Sequence, residues 1–236
     1  VQLDLGPRVA FSYDIADSET ILVRQIRDAV PSTDGRRLAF TALNQLHVID
    51  LEPAEALKAS DDGEAARLTG ARKLTDGSRT EHQPVWSPDG RWIAYVTWSF
   101  DEGGHIYRVR ADGRGKAERL TTRAAFYQQI AWSPDGERIV AIRGPAQAFV
   151  DALTQGAPGG ATDLVWIPAN GGEATVIGPA NVSRPHFTSD PTRIYAHSFS
   201  DGLVSFRWDG TDRRAHVQVT GAGQPGGGQP PRASLI

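Results

Sequence analysis

Residues 86–96 read WSPDGRWIAYV, a tight turn followed by an unbroken apolar run. Proline presets φ at the second position of such a turn, aspartate is tolerated at the third, and glycine accepts the positive φ at which the chain reverses. The apolar residues on both sides of the turn predict a β-hairpin. Because the run at 92–96 does not alternate apolar with polar residues, we expect this strand to be covered on both faces.

The same signature recurs along the chain. A second full copy stands at residues 133–136, and weaker copies read STDG at 32–35 and TSDP at 188–191. The aspartates of the four copies lie 55, 46 and 55 residues apart and are Asp34, Asp89, Asp135 and Asp190. A period of about 50 residues indicates a repeat architecture, and the stacked blades of a β-propeller cover a strand on both faces. The sequence therefore predicts an all-β fold, a β-propeller with about four four-stranded blades and partial blade strands at both ends.

The turns also place the blade boundaries. We expect four blades, at residues 29–76, 81–122, 127–178 and 181–220. Residues 1–28 are predicted to supply strands of an incomplete or ring-closing blade, and residues 221–236 a Gly/Pro linker and the first strand of a further blade. Either these end strands pair with each other in a five-bladed ring, or they pair with residues outside this chain. We favour the second arrangement, because no methionine starts the chain and its last strand stops before a turn signature.

Two further expectations come from comparing the copies. Trp86 and Trp132 precede the two full signatures and are predicted to be buried equivalents, each packed between its own blade and a neighbour. The insertions at residues 53–66 and 144–162 are rich in alanine or glycine and are predicted to be surface loops.

Composition excludes several classes of function. The net charge of −3 and the pI of about 6.1 argue against nucleic-acid binding. No stretch approaches the ~18 apolar residues of a membrane-spanning helix. The chain has no cysteine, which excludes disulfides, thiolate metal sites and a cysteine nucleophile. The lack of cysteine fits a periplasmic or otherwise exported protein.

The motifs of the second blade carry a family resemblance. WSPDGR and IAY at residues 86–95, IYRV at 106–109 and RLT at 119–121 resemble the WD-like propeller repeat of the TolB family. The resemblance covers residues 29–220. The same repeat builds propellers beside the catalytic domains of prolyl oligopeptidase-type and Tricorn-type peptidases. It also precedes a metal-dependent amidohydrolase barrel in a group of large bacterial proteins.

Three finer features resemble the amidohydrolase-associated propellers. They are RQIRD at residues 24–28, DLVWIP at 163–168 after the insertion, and PPRA at 230–233. The resemblance implies that the chain is the non-catalytic front part of a larger hydrolase, with a catalytic domain as its companion. Two alternatives stay open: a free-standing periplasmic protein-binding propeller of the TolB kind, and the gating propeller of a serine peptidase. The chain departs from the repeat at Val30-Pro31, which replaces the tryptophan, and at Pro191, which replaces glycine.

A search for chemistry finds no catalytic motif. The six histidines form neither His-x-His nor His-Glu-x-x-His and are His47, His82, His105, His186, His197 and His216. No Gly-x-Ser-x-Gly nucleophile elbow is present. The recurring aspartates indicate turn capping, because a catalytic residue need occur only once. We therefore expect no catalytic residue, metal ligand or cofactor in this chain.

One set of polar residues remains as a candidate site. These residues lie three or four positions before each equivalent of Trp86, where the innermost strand of a blade starts near the axial channel. The candidates are Arg27, Asp28, His82, Gln83, Gln128, Gln129 and Arg184. Polar groups that converge at a channel mouth can contact a ligand or a companion domain. The alternative is ordinary channel lining with bound water.

Overall fold

The computed structural model describes residues 25–51, 70–147, 150, 154, 162–198 and 200–217. In these residues the chain forms sixteen strands in four antiparallel sheets, each of four strands in sequence order. The first strands of neighbouring sheets contact one another and are the innermost strands. This is the predicted all-β propeller fold with four four-stranded blades, and the fold class is confirmed.

The strands of the blades have the following bounds. Blade one consists of β1 (Arg27–Pro31), β2 (Arg37–Ala42), β3 (Gln45–Asp50) and β4 (Arg72–Lys73). Blade two consists of β5 (Thr80–Trp86), β6 (Trp92–Ser99), β7 (Gly103–Arg110) and β8 (Glu118–Arg119). Blade three consists of β9 (Phe126–Trp132), β10 (Arg138–Gly144), β11 (Asp163–Pro168) and β12 (Thr175–Pro179). Blade four consists of β13 (Val182–His186), β14 (Arg193–Ser198), β15 (Gly202–Arg207) and β16 (Arg214–Val217).

The turn that decides the fold is held by its own side chains. Ser87 Oγ donates to Asp89 Oδ1 at 2.6 Å and accepts from Trp92 N at 2.9 Å. Asp89 Oδ1 also accepts from Arg91 N at 3.0 Å, and Gly90 takes the expected positive φ of 65°. The corresponding backbone bond forms at Asp34, Asp135 and Asp190. The recurring aspartates therefore cap turns, as predicted.

The core lies between the blades. Along β6, Ile93 and Tyr95 pack toward blade one, whereas Ala94 and Val96 pack toward blade three. All four side chains are buried. This double cover explains why the strand sequence does not alternate between apolar and polar residues.

Trp86 and Trp132 do not share one environment. Trp86 is 7% exposed, donates from Nε1 to Val30 O at 3.0 Å, and lies under the guanidinium of Arg37 at 4.7 Å. Trp132 is only half-buried, and its Nε1 has no hydrogen-bond partner among the described residues. The expectation of equal burial is therefore correct for Trp86 and wrong for Trp132. The two environments differ at the position of Arg37, which in the blade that precedes Trp132 is occupied by Trp92.

Several predictions fall outside the described residues. They concern the strands in residues 1–24, the loop at 53–66 and the segment 218–236. Of the insertion at 144–162, only residues 144–147, 150, 154 and 162 are described. Within the described part of the chain, no helix is long and apolar enough to cross a membrane.

Candidate functional site

The four innermost strands share one irregularity. In each blade the pairing of the first strand with the second shifts by a β-bulge. One residue at each bulge has positive φ, and these residues are Asp28 (52°), Gln83 (50°), Gln129 (52°) and Arg184 (54°). None of them is glycine, so each left-handed conformation costs about 1–2 kcal/mol. Such strain persists only where surrounding contacts compensate for it.

The compensating contacts are hydrogen bonds between blades. Gln83 N donates to Asp28 Oδ2 at 3.0 Å, which joins blade two to blade one. Gln129 N donates to Gln83 Oε1 at 2.5 Å, and Arg184 N donates to Gln129 Oε1 at 2.5 Å. We call these four residues the bulge relay. In blades two, three and four, the bulge turns a backbone N–H out of its own sheet, and a side chain of the preceding blade accepts it.

The residue types decide in which blade the hydrogen bonds of the bulge relay can start and in which they end. Asp28, Gln83 and Gln129 carry side-chain oxygens that accept hydrogen bonds, whereas a guanidinium only donates. Arg184 therefore cannot accept an N–H from a further bulge in the same way. Among the described residues the relay starts at blade one and ends at blade four.

The other predicted site residues lie directly before the bulges. Arg27 is exposed, and His82 and Gln128 are half-buried. Burial lowers the pKa of His82, the charge of Asp28 opposes that shift, and the charge of Arg27 adds to it. Burial, the largest of these effects, thus favours the neutral form of His82.

The predicted residues thus divide into two groups. Asp28, Gln83, Gln129 and Arg184 are joined in one row across four blades, while Arg27, His82 and Gln128 stand beside that row. Among the described residues, no group of three His, Asp or Glu side chains is placed to hold a metal ion. The arrangement can fasten blades together, and it leaves the exposed side chains of Arg27 and Arg184 open to contact.

A second polar cluster, between blades one and two, was not predicted. It contains the buried, ionisable side chain of Glu81 together with Tyr95. The repeat holds a signal that identifies it. The positions that correspond to Glu81 are Ile26, Tyr127 and Val182, none of which carries a charge. A single charged residue at an otherwise uncharged repeat position marks a departure from the blade pattern.

Comparisons with known proteins give short sequence matches. No protein-family model matches the chain. The uncharacterized peptidase YuxL of Bacillus subtilis (strain 168) is 34% identical over 71 residues, which are 30% of this chain and 11% of that protein. An uncharacterized protein of Agrobacterium fabrum (strain C58) is 32% identical over 118 residues, which are 50% of this chain and 36% of that protein. The chain thus covers little more than a third of one relative's length and about a tenth of the other's.

Solved structures match over most of the chain. TolB from Acinetobacter baumannii has a TM-score of 0.55 and 19% identity, over 79% of this chain and 42% of that one. An oligogalacturonate lyase in complex with manganese has a TM-score of 0.58 and 18% identity, over 83% and 54%. A puromycin-hydrolyzing peptidase of Mycobacterium tuberculosis has a TM-score of 0.56 and 13% identity, over 87% and 31%. At these identities the likeness establishes the fold, which is that of a TolB-like β-propeller.

Proposed function

Starting from this TolB-like propeller, we propose that the chain is a non-catalytic module of a larger hydrolase, where it supports or gates a companion catalytic domain. The bulge relay carries the proposal. Asp28, Gln83 and Gln129 use their side-chain oxygens to hold the neighbouring blade, so these groups serve the scaffold rather than a reaction. A fold alone does not specify function, and the function of such scaffolds lies in the sites they carry.

The comparisons support a hydrolase as the companion. One sequence relative is named a peptidase, and so is one of the similar structures. The sequence features at residues 24–28, 163–168 and 230–233 favour an amidohydrolase-type companion over a serine peptidase. In either case we propose that the exposed Arg27 and Arg184 contact the companion domain or its substrate at the channel mouth.

A second candidate is a free-standing periplasmic propeller that binds other proteins. The likeness to TolB from Acinetobacter baumannii, over 79% of this chain, favours it. In this case the same exposed arginines would contact a separate protein, and the location would be the periplasm.

The test begins with the natural reading frame after Ile236. A barrel with His-x-His supports the amidohydrolase module, and a Gly-x-Ser-x-Gly elbow supports the peptidase module. A stop codon overturns both and supports the free-standing propeller. Where a catalytic domain follows, the whole enzyme is assayed with Arg184→Glu, and Arg119→Glu on the exposed outermost strand of blade two serves as the control. A gating module predicts that Arg184→Glu reduces activity on large substrates more than on small ones, whereas the control leaves both unchanged.

A further inference from the structure

A polar cavity of about 370 Å³, partly open to solvent, lies at the junction of blades one and two. This volume lies within the range of about 300–1,000 Å³ that is typical of small-molecule sites. The main polar side chains of its wall are Thr75, Arg79, Glu81, Tyr95 and Tyr107. None of these residues belongs to the bulge relay, so the cavity is a separate feature of the fold.

Glu81 is the most unusual residue of the wall. It is 3% exposed, and its Oε2 accepts from Leu46 N at 2.6 Å and from Thr75 Oγ1 at 2.8 Å. No described residue donates to its other oxygen, Oε1. Glu81 lines the cavity, and Oε1 is not shut off from it, so this oxygen is available to a bound molecule. Burial also raises the pKa of Glu81, against the two hydrogen bonds that lower it.

Two tyrosines bring further unpaired oxygens to the cavity. Tyr95 is 2% exposed and Tyr107 is 8% exposed, and their rings stack with centroids 6.1 Å apart. Neither hydroxyl forms a hydrogen bond with a residue that the structure describes. Both tyrosines line the cavity, and neither hydroxyl oxygen is shut off from it. The wall therefore holds three oxygens, from Glu81, Tyr95 and Tyr107, that lack a protein partner in this part of the chain.

The next junction shows that the propeller does not require this cluster. Between blades two and three, Thr121 Oγ1 accepts from Ile106 N at 3.2 Å, the role that Glu81 has for Leu46. Tyr127, which corresponds to Glu81, donates its hydroxyl to Arg123 O at 3.0 Å. A threonine and a tyrosine thus satisfy the same positions without a buried charge or an unpaired hydroxyl.

We propose that this cavity binds a small uncharged polyhydroxylated molecule, of about the size of one sugar ring, through Glu81 Oε1 and the hydroxyls of Tyr95 and Tyr107. Hydroxyl groups both donate and accept, so they match a carboxyl oxygen in either protonation state beside two phenols. An ion fits less well, because Asp76 and Lys116 line the same wall with opposite charges. Arg79 is already paired with Glu102 at 2.8 Å.

The experiment titrates the 236-residue chain with methyl α-D-glucopyranoside, methyl α-D-galactopyranoside and glycerol, and follows binding by saturation-transfer NMR. The variants are Tyr95→Phe, which removes one oxygen and keeps the ring, and Glu81→Gln, which keeps the shape. Tyr127→Phe is the matched control, because it removes a hydroxyl at the next junction. Thermal unfolding of each variant verifies that it is folded.

We expect at least one glycoside to bind with a dissociation constant of about 1–10 mM, a range reached by a few hydrogen bonds. Tyr95→Phe and Glu81→Gln should each weaken this binding about fivefold to tenfold, and the control should not. Two results overturn the proposal: no saturation transfer from the wild-type chain to any of the three compounds, or saturation transfer that persists unchanged in both cavity variants.

Discussion

The backbone amide of Gln129 donates to the side-chain Oε1 of Gln83 at 2.5 Å, so the innermost strand of blade three is fastened to that of blade two. The bond depends on backbone geometry at both ends, since both residues have positive φ. The strained backbone at these two bulges and the hydrogen bond between them therefore depend on each other. These hydrogen bonds add to the apolar packing between the blades and fix their register along the innermost strands.

The first prediction concerns this acceptor. Gln83→Ala leaves Gln129 N without its partner and keeps the strained backbone, so it should reduce the free energy of unfolding by about 1–3 kcal/mol. Gln83→Gly also loses the acceptor but relieves the left-handed conformation, so its loss should be about 1 kcal/mol smaller. Denaturant unfolding measures both. Gln128→Ala, next to the relay, is the control, and equal losses for Ala and Gly at position 83 would contradict the role of strain.

The second prediction separates the two tryptophans. Trp86→Ala should cost about 3–5 kcal/mol, because it removes a buried ring and leaves a cavity. Trp132→Ala should cost clearly less, since that ring is half-buried and its Nε1 loses no described partner. Trp86→Phe should cost about 1 kcal/mol through the lost bond to Val30 O. Equal losses of unfolding free energy in the two alanine variants would show that the two tryptophans contribute equally to the core.

The third prediction is a pH dependence at the turn. Burial opposes the shift, but hydrogen bonds from Ser87 and Arg91 lower the pKa of Asp89 to about 2. Because the folded pKa lies below the unfolded value of about 3.9, the contribution is complete above pH ~4 and is lost as the pH falls toward 2. The side chain is 43% exposed, so screening limits the contribution to about 1 kcal/mol.

Asp89→Asn tests this linkage. The stability difference from wild type should be present at pH 6 and should shrink between pH ~4 and ~2. Asp101→Asn is the control, because Asp101 is exposed and forms no hydrogen bond with another described residue. A difference that stays constant across this pH range would mean that the carboxylate charge does not stabilise the turn.

The fourth prediction contrasts two glycines. A Cβ at Gly104 would overlap the carbonyl oxygen of Ala125, whose N–H bonds to Gly104 O at 3.0 Å. Gly104→Ala should therefore cost about 3 kcal/mol or more, since backbone must move. Gly136 has open space around it but a φ of +75°, so Gly136→Ala should cost only about 1 kcal/mol. Unfolding curves of the two variants measure the contrast, and similar losses would show that blade three shifts to accommodate the methyl group.

Much of this structure could be predicted from the sequence because the turn is local. Ser87, Asp89 and Gly90 hold one another within four residues, so the turn is the same wherever the signature stands. The positions of the candidate site residues could be predicted from this turn, because Asp28 and Gln83 each precede their turn aspartate by six residues. A fixed offset from a local turn gives a fixed place in the blade.

What the sequence could not predict depends on the neighbouring blade. Positive φ at Gln83 and Gln129 is not a property of glutamine, and only the acceptor across the junction makes it stable. Likewise, the sequence alone predicts that the side chain of Glu81 is exposed to solvent. It is buried because Leu46 N and Thr75 Oγ1, which precede it in the chain, donate hydrogen bonds to its carboxyl group. Contacts between residues far apart in sequence decide both cases.

The last prediction concerns the buried carboxyl group at the junction of blades one and two. Burial raises the pKa of Glu81, so the folded chain favours its neutral form. For an acid of this kind, stability is highest below the unfolded pKa of about 4.3 and falls as the pH rises toward the folded pKa. Gln does not titrate, and its side-chain oxygen can still accept from Leu46 N and Thr75 Oγ1. Glu81→Gln should therefore be more stable than wild type at pH 7, with an advantage that disappears below pH ~4.

Glu102→Gln is a control of opposite sign. Arg79 lowers the pKa of Glu102 through a hydrogen bond and its charge, so ionised Glu102 stabilises the folded chain above the unfolded pKa. Its replacement should make the chain less stable at pH 7, and this loss should diminish as the pH falls below ~4. Denaturant unfolding between pH 3.5 and 8 measures both variants on one scale. If Glu81→Gln is instead less stable than wild type at pH 7, the ionised carboxylate of Glu81 is stabilised by its hydrogen bonds inside the cavity. Burial would then not decide its protonation state.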